Sequence, residues 1–268
     1  AGTAVKQEYP LNRDSVNHAI GRFQRIYEKY LAESQCFYAI IPDKGYYLGA
    51  ESGHLTMDYD ALYAQVAAGL PWAREIDLRP ALTGQDYYRT DTPWRQENLL
   101  PAATVLCEGL GVTPPRVEDF EKTPLERPFY GVYYGQAALP MEPDRLYLME
   151  NDTLSQCAVF DYETGKTGSV YDMTKLDSRD FYDVYLSGAR ALLTIENPNA
   201  GTDRELIMFR DSFGSSVAPL LLTDYAKVTL VDIRYVQPEL LGQLLDFHGQ
   251  DVLFLYSTLV LNNSTALK

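Results

Sequence analysis

Between Arg13 and Glu33 the apolar positions fall at Val16, Ile20, Phe23, Ile26, Tyr27, Tyr30 and Leu31. Steps of three and four place them on one face of a helix. Cys36 to Ile41 is instead a continuous apolar run ended by Pro42, the pattern of a buried strand. Helical spacing returns from Asp58 to Ala68, with Leu62, Tyr63 and Val66 as its face. Glu75 to Leu78 reads as a brief strand, and Trp94 to Leu110 as a helix closing at Gly109 and Gly111. This alternation predicts a parallel sheet flanked by helices.

From Pro114 to about Arg190 the pattern changes to Pro/Gly turns and short aromatic runs: Phe129 to Tyr134, Arg145 to Met149, Cys157 to Tyr162 and Gly168 to Tyr171. These predict an antiparallel insertion, a lid or a platform beside the main sheet. The alternation then resumes. Ala191 to Glu196, Glu205 to Phe209, Lys227 to Asp232 and Asp251 to Tyr256 read as strands, and Val217 to Leu222 and Glu239 to Asp246 as helices. The expectation is one doubly wound α/β domain over residues 1–268, with a β-rich insertion at about 114–190.

Composition narrows the function. Of 268 residues, 46% are apolar and the formal net charge is −14, so the chain would repel a phosphate backbone and nucleic acid is not expected as a partner. The longest apolar run, Val252 to Leu261, is interrupted by a tyrosine, a serine and a threonine. Crossing a bilayer needs roughly 18 or more apolar residues, so no integral membrane segment is expected. The start Ala1-Gly2-Thr3-Ala4 lacks the charged and apolar regions of a signal peptide, which fits a cytoplasmic protein or the mature form of an exported one. Cys36, Cys107 and Cys157 sit in apolar surroundings, as core thiols or with one pair bridged. Neither metal-ligand spacing nor a Gly-rich phosphate loop occurs, so no metal and no cofactor is expected. The oligomeric state is left open.

Candidate chemistry centres on Leu206-Ile207-Met208-Phe209-Arg210-Asp211-Ser212-Phe213-Gly214-Ser215-Ser216. An apolar run stops at a small-residue turn and a helix follows. A serine there projects from the carboxyl end of a strand, where open α/β sheets place their ligand crevice. Ser212 is either a nucleophile or a small residue that the turn demands. Asp211 beside it caps the helix or binds a backbone N–H.

A second motif is Tyr87-Tyr88-Arg89-Thr90-Asp91-Thr92-Pro93-Trp94. Together with Arg210-Asp211-Ser212-Phe213-Gly214, it resembles the DHHW family of bacterial proteins and, more distantly, the alginate O-acetylation proteins of SGNH-hydrolase-like fold. Ile41-Pro42-Asp43-Lys44, Thr194-Ile195-Glu196-Asn197-Pro198-Asn199 and Val231-Asp232-Ile233-Arg234-Tyr235 extend the likeness from about residue 20 to the end. The resemblance implies an SGNH-like, mostly parallel sheet. It implies ester hydrolysis or acyl transfer on a carbohydrate, commonly outside the cytoplasm. It casts Ser212 as nucleophile and Asp91 as the carboxylate that orients a histidine base.

The family pattern is Asp-His-His-Trp, and here the base position falls on Pro93. A serine hydroxyl is a weak nucleophile until a base accepts its proton, and proline offers no acceptor. Thr92 and Pro93 would serve instead as cap and first residue of a helix. Of the three histidines, His18 lies in the first helix and His248 follows a helix beside Gly249, which leaves His54 as a candidate substitute base from a loop. Asn197, Gly214 and Arg234 are candidate oxyanion or cleft residues. An Asn-Pro turn and a structural ion pair are the plainer readings of the first and third. The tyrosine clusters Tyr46-Tyr47, Tyr87-Tyr88 and Tyr130, Tyr133, Tyr134 suit either a glycan cleft or half-buried strand positions. Two functions follow as expectations. One is a degenerate relative that binds a carbohydrate, an ester ligand or a partner with little turnover. The other is an active carbohydrate esterase or O-acyltransferase.

Overall fold

The computed structural model describes residues 2–138, 140–178 and 180–268. Ten strands are described: β1 (Cys36–Ile41), β2 (Arg74–Glu75), β3 (Glu121–Pro124), β4 (Tyr147–Glu150), β5 (Ala158–Asp161), β6 (Lys166–Gly168), β7 (Leu192–Glu196), β8 (Arg204–Arg210), β9 (Tyr225–Val231) and β10 (Asp251–Ser257). Eight form one sheet in the order β2-β1-β10-β8-β9-β7-β5-β6. The strands from β2 to β9 run parallel, β7 and β5 reverse direction in turn, and β6 pairs antiparallel with β5.

Helices cover both faces, as the alternation predicts. They are α1 (Arg13–Tyr30), α2 (Lys44–Glu51), α3 (Tyr59–Gly69), α4 (Leu100–Leu110), α5 (Val132–Ala137), α6 (Asp152–Gln156), α7 (Gly214–Val217), α8 (Leu241–Leu244) and α9 (Thr258–Asn262). The pleat sends alternate side chains to opposite layers. Phe37, Ala39 and Ile41 of β1 join one core with α4, whereas Cys36, Tyr38 and Ile40 join the other with α1 and α3. In that second core Phe23 of α1 lies 5.0 Å from Phe254 and 4.9 Å from Tyr256, ring centre to ring centre. Asn12 caps α1 by accepting the Ser15 N–H at 3.0 Å. The result is the SGNH-hydrolase-like architecture expected from the motifs.

Several expectations need correction. Part of the insertion stands apart as the two-stranded sheet β3–β4, but β5 and β6 extend the main sheet through β7. Trp94 does not begin a helix. It pairs with Tyr87 in an isolated bridge, and the Tyr88 N–H donates to the Pro93 carbonyl at 3.1 Å, closing a β-type loop. The helix starts at Leu100, with Pro101 in its first turn. The segment after Ser212 holds only four α-helical residues before Pro219 turns it into a 3₁₀ helix over Ala218–Leu221. The three cysteines are free and buried, so the core-thiol reading holds. Burial pushes the Cys36 and Cys107 thiols up to about 12 and Cys157 to about 11.

Candidate active site

Ser212 sits where β8 ends, beside the carboxyl ends of β9 and β10. Asp211 fixes the turn: its two carboxylate oxygens accept the Phe213 N–H at 3.0 Å and the Ser257 N–H at 2.8 Å. It therefore ties the end of β8 to the end of β10. Burial raises its pKa, and the N–H donors and Arg234 oppose that rise. Ser212 itself is half-buried. Among the described residues neither its Oγ nor its N–H has a hydrogen-bond partner. An unpaired serine N–H at such a turn is the kind of donor that binds a developing oxyanion.

Asp91 is buried in the loop that precedes Trp94. Its Oδ1 accepts the Thr92 N–H at 2.8 Å and the Val132 N–H at 3.2 Å. Its Oδ2 has no protein partner among the described residues. Burial pushes the carboxyl up to about 6, Asp180 adds to the rise, and the two N–H donors and Lys44 oppose it. Gly131 must be glycine to allow this approach, because a Cβ there would stand 2.1 Å from the Asp91 Cβ. Lys44 anchors the same loop from below. Its Nζ donates to the carbonyls of Ala4 at 2.6 Å, Tyr88 at 2.8 Å and Asp91 at 2.6 Å, and lies 4.7 Å from the Tyr133 ring centre. Burial lowers its pKa to about 8.

The two motifs meet through Trp94. Its Nε1 donates to the Phe213 carbonyl at 3.0 Å and to Ser216 Oγ at 2.9 Å. Tyr182 from the insertion reaches the same Ser216 Oγ at 2.8 Å, and Gln96 Nε2 donates to the Ser216 carbonyl at 2.9 Å. Burial holds the phenol of Tyr182 un-ionised, and the nearby Asp91 and Asp211 carboxylates add to that. The loop of Asp91 and the turn of Ser212 are thus fastened together, although no hydrogen bond joins Asp91 to Ser212 among the described residues.

A family model described as DHHW protein matches residues 76–231, which includes both motifs. The chain belongs to the DHHW family. It is similar to the crystal structure of a DHHW family protein from Eubacterium siraeum, with 22% identity over 95% of this chain and 88% of that one and a TM-score of 0.76. It is also similar to Bacillus cereus PatB1 with a sulfonyl adduct, with 15% identity over 95% and 93% of the two chains and a TM-score of 0.72. A second structure of Bacillus cereus PatB1 is similar at 16% identity, 97% and 93% coverage and a TM-score of 0.65. At these identities the likeness concerns the fold. No curated protein matches the chain.

The remaining DHHW-site candidates divide between the two poles of the sheet. Arg234 lies at the Ser212 pole, just beyond β9, but its guanidinium is engaged by Asp232, with Nε–Oδ1 at 2.9 Å and Nη2–Oδ2 at 2.6 Å. The structural ion pair is its observed role. Gly214 is at this pole too, yet its N–H donates to the Asp211 carbonyl at 3.1 Å and is not free for an oxyanion. It serves packing, since a Cβ there would come 2.7 Å from the Arg210 Cβ.

Asn197 is overturned as an oxyanion candidate. β7 runs antiparallel to β9, so its carboxyl end lies beside the amino ends of β8 and β9. Asn197 Nδ2 donates there to the carbonyls of Leu222 at 2.7 Å and Tyr225 at 3.2 Å.

His54 is exposed and lines a different cleft, of about 670 Å³, between the N-terminal segment and α2. His18 Nδ1 is 3.0 Å from Ser264 Oγ, and His248 stands near Glu205 at the amino end of β8. No imidazole is hydrogen-bonded to Ser212 or Asp91 among the described residues.

Sequence reasoning missed several supports of this site: Lys44, Gly131, Tyr182 and Ser216. For Lys44 a signal existed, a lysine directly after a buried strand and its Pro-Asp turn. The others are defined only by partners distant in sequence.

Proposed function

We propose that this DHHW protein is a degenerate SGNH-like centre that binds an acylated glycan and turns it over little. One observation carries the reading: proline occupies the base position, and none of the three histidines is bonded to Ser212 or Asp91. Without an acceptor for its proton, the Ser212 hydroxyl stays a poor nucleophile. The ester site is otherwise provided for by the unpaired Ser212 N–H and the free Oδ2 of Asp91. Residues 1–268 act as one unit, a reading supported by β5 and β6 of the insertion pairing into the main sheet. No helix among the described residues is long and apolar enough to cross a membrane. A place outside the cytoplasm rests on the family resemblance alone.

The test is a serine-directed fluorophosphonate probe with p-nitrophenyl acetate as substrate. Wild type should label and hydrolyse at background rate. Pro93→His should label, and Ser212→Ala should abolish that labelling. In Pro93→His the imidazole takes the Ser212 proton, Oγ bonds to the acyl carbon, and the alcohol leaves with the proton. Water then releases the acyl group by the same route. Strong wild-type labelling at Ser212 would overturn the degenerate reading.

A second reading, an active carbohydrate esterase or O-acyltransferase, is favoured by the raised pKa and free Oδ2 of Asp91, which suit a weak general base near neutrality. It requires wild-type hydrolysis that rises through about pH 6 and is lost in both Asp91→Asn and Ser212→Ala.

A further inference from the structure

We infer that Tyr130 and Tyr134 form a stacking subsite for a neutral pyranose ring at the edge of the candidate site. The inference rests on the glycan-binding reading above and says where the sugar lies.

Three observations carry it. First, these side chains are outside the core: Tyr130 is 44% exposed and Tyr134 37%, while the intervening Tyr133 and the preceding Phe129 are buried. The two outer rings face each other with centres 4.5 Å apart and planes inclined at 50°. Second, the patch is fixed rigidly to Asp91. The Val132 N–H holds Asp91 Oδ1 at 3.2 Å, the Tyr133 and Tyr134 N–H groups donate to the Thr90 carbonyl at 3.0 and 3.3 Å, and the Gly131 N–H donates to Thr90 Oγ1 at 3.0 Å. The backbone that carries the tyrosines is thus held against the Asp91 loop.

Third, the chemistry selects the ligand. Aromatic faces with hydroxyl tips match the C–H face and hydroxyl rim of a pyranose. Asp91 and Asp180 lie around the loop, Asp144 is paired with Arg89 at 3.5 Å, and Lys44 already spends its three N–H donors on carbonyls. Among the described residues of this loop the cations Arg89 and Lys44 are already engaged, so an anionic chain would meet the Asp91 and Asp180 carboxylates without compensation and a neutral or acylated sugar is favoured.

The experiment is calorimetric titration of the full chain with cellotetraose, mannotetraose, tetra-N-acetylchitotetraose, polygalacturonate and a short fatty-acid ester. At least one neutral tetrasaccharide should bind, and Tyr130→Ala/Tyr134→Ala should weaken it by about tenfold or more. Tyr130→Phe/Tyr134→Phe should retain most of the affinity and shows that the patch still folds. An inert Pro93→His that still binds sugar would sink only the catalytic reading. Three outcomes would overturn the subsite: no neutral glycan binds, binding survives the double alanine variant, or only the polyanion or the ester binds.

Discussion

The indole N–H of Trp94 donates to the carbonyl of Phe213, one residue beyond Ser212, at 3.0 Å. Their rings also pack edge to face, 5.5 Å between centres. The tryptophan of the first motif is therefore the fastener for the serine turn. Trp94→Phe keeps an aromatic body but removes the donor to Phe213 and Ser216. The expected loss is about 1–2 kcal/mol of stability, read from urea unfolding. Unchanged stability would mean that the turn is held from the β10 side alone, through Asp211 and Ser257.

Gly131→Ala attacks the opposite wall. Its Cβ would stand 2.1 Å from Asp91 Cβ and 2.4 Å from Cγ, so either the loop or the carboxylate must shift. A cost of about 1–3 kcal/mol is expected from overpacking. In a Pro93→His background the same change should lower probe labelling, because the orienting carboxylate moves. A Gly131→Ala protein with full stability and unaltered labelling would contradict the tight contact.

Asp91 should leave a pH signature. Its carboxyl is raised from 3.8 to about 6 in the fold. Between these values the folded chain holds more protons than the unfolded one, so stability falls as pH rises through the window. Below it both states are protonated and no penalty applies. The full effect is at most about 3 kcal/mol. Asp91→Asn lacks this titration, so its stability relative to wild type should improve between about pH 4 and pH 7. Urea midpoints measured in parallel provide the check, and a difference independent of pH would show that the carboxyl titrates normally.

How much of this was legible in the sequence follows from what is local. The strands β1, β8, β9 and β10 were readable to within about two residues, because continuous apolar runs between turn residues leave little choice. The serine turn followed from the same logic. Thr92 and Pro93 misled because a cap-like Thr-Pro pair also suits a β-type loop, and the Tyr88 N–H decides between them. The helix α2 was overlooked because Lys44-Gly45-Tyr46-Tyr47-Leu48-Gly49 carries two glycines, which cost helix propensity. Their reason lies in close packing: a Cβ on Gly45 would meet Asp43 Oδ1 at 2.6 Å and the Tyr59 hydroxyl at 2.9 Å, and one on Gly49 would meet Thr56 at 2.3 Å. Strand direction was likewise invisible. Nothing in Thr194-Ile195-Glu196-Asn197 tells that β7 runs opposite to β9.

That reversal gives the last prediction. Asn197 braces the far pole, with Nδ2 on the Leu222 and Tyr225 carbonyls and Oδ1 accepting the Asn199 N–H at 3.0 Å. Asn197→Ala strips buried carbonyls of their donor and should cost about 1–3 kcal/mol. An oxyanion residue would behave differently: its removal typically costs about 100-fold or more in rate with little change in stability. In a Pro93→His background, then, Asn197→Ala should unfold at lower urea yet label at an unchanged rate per folded molecule. A stable variant with collapsed labelling would return Asn197 to the site and overturn the strand polarity on which its exclusion depends.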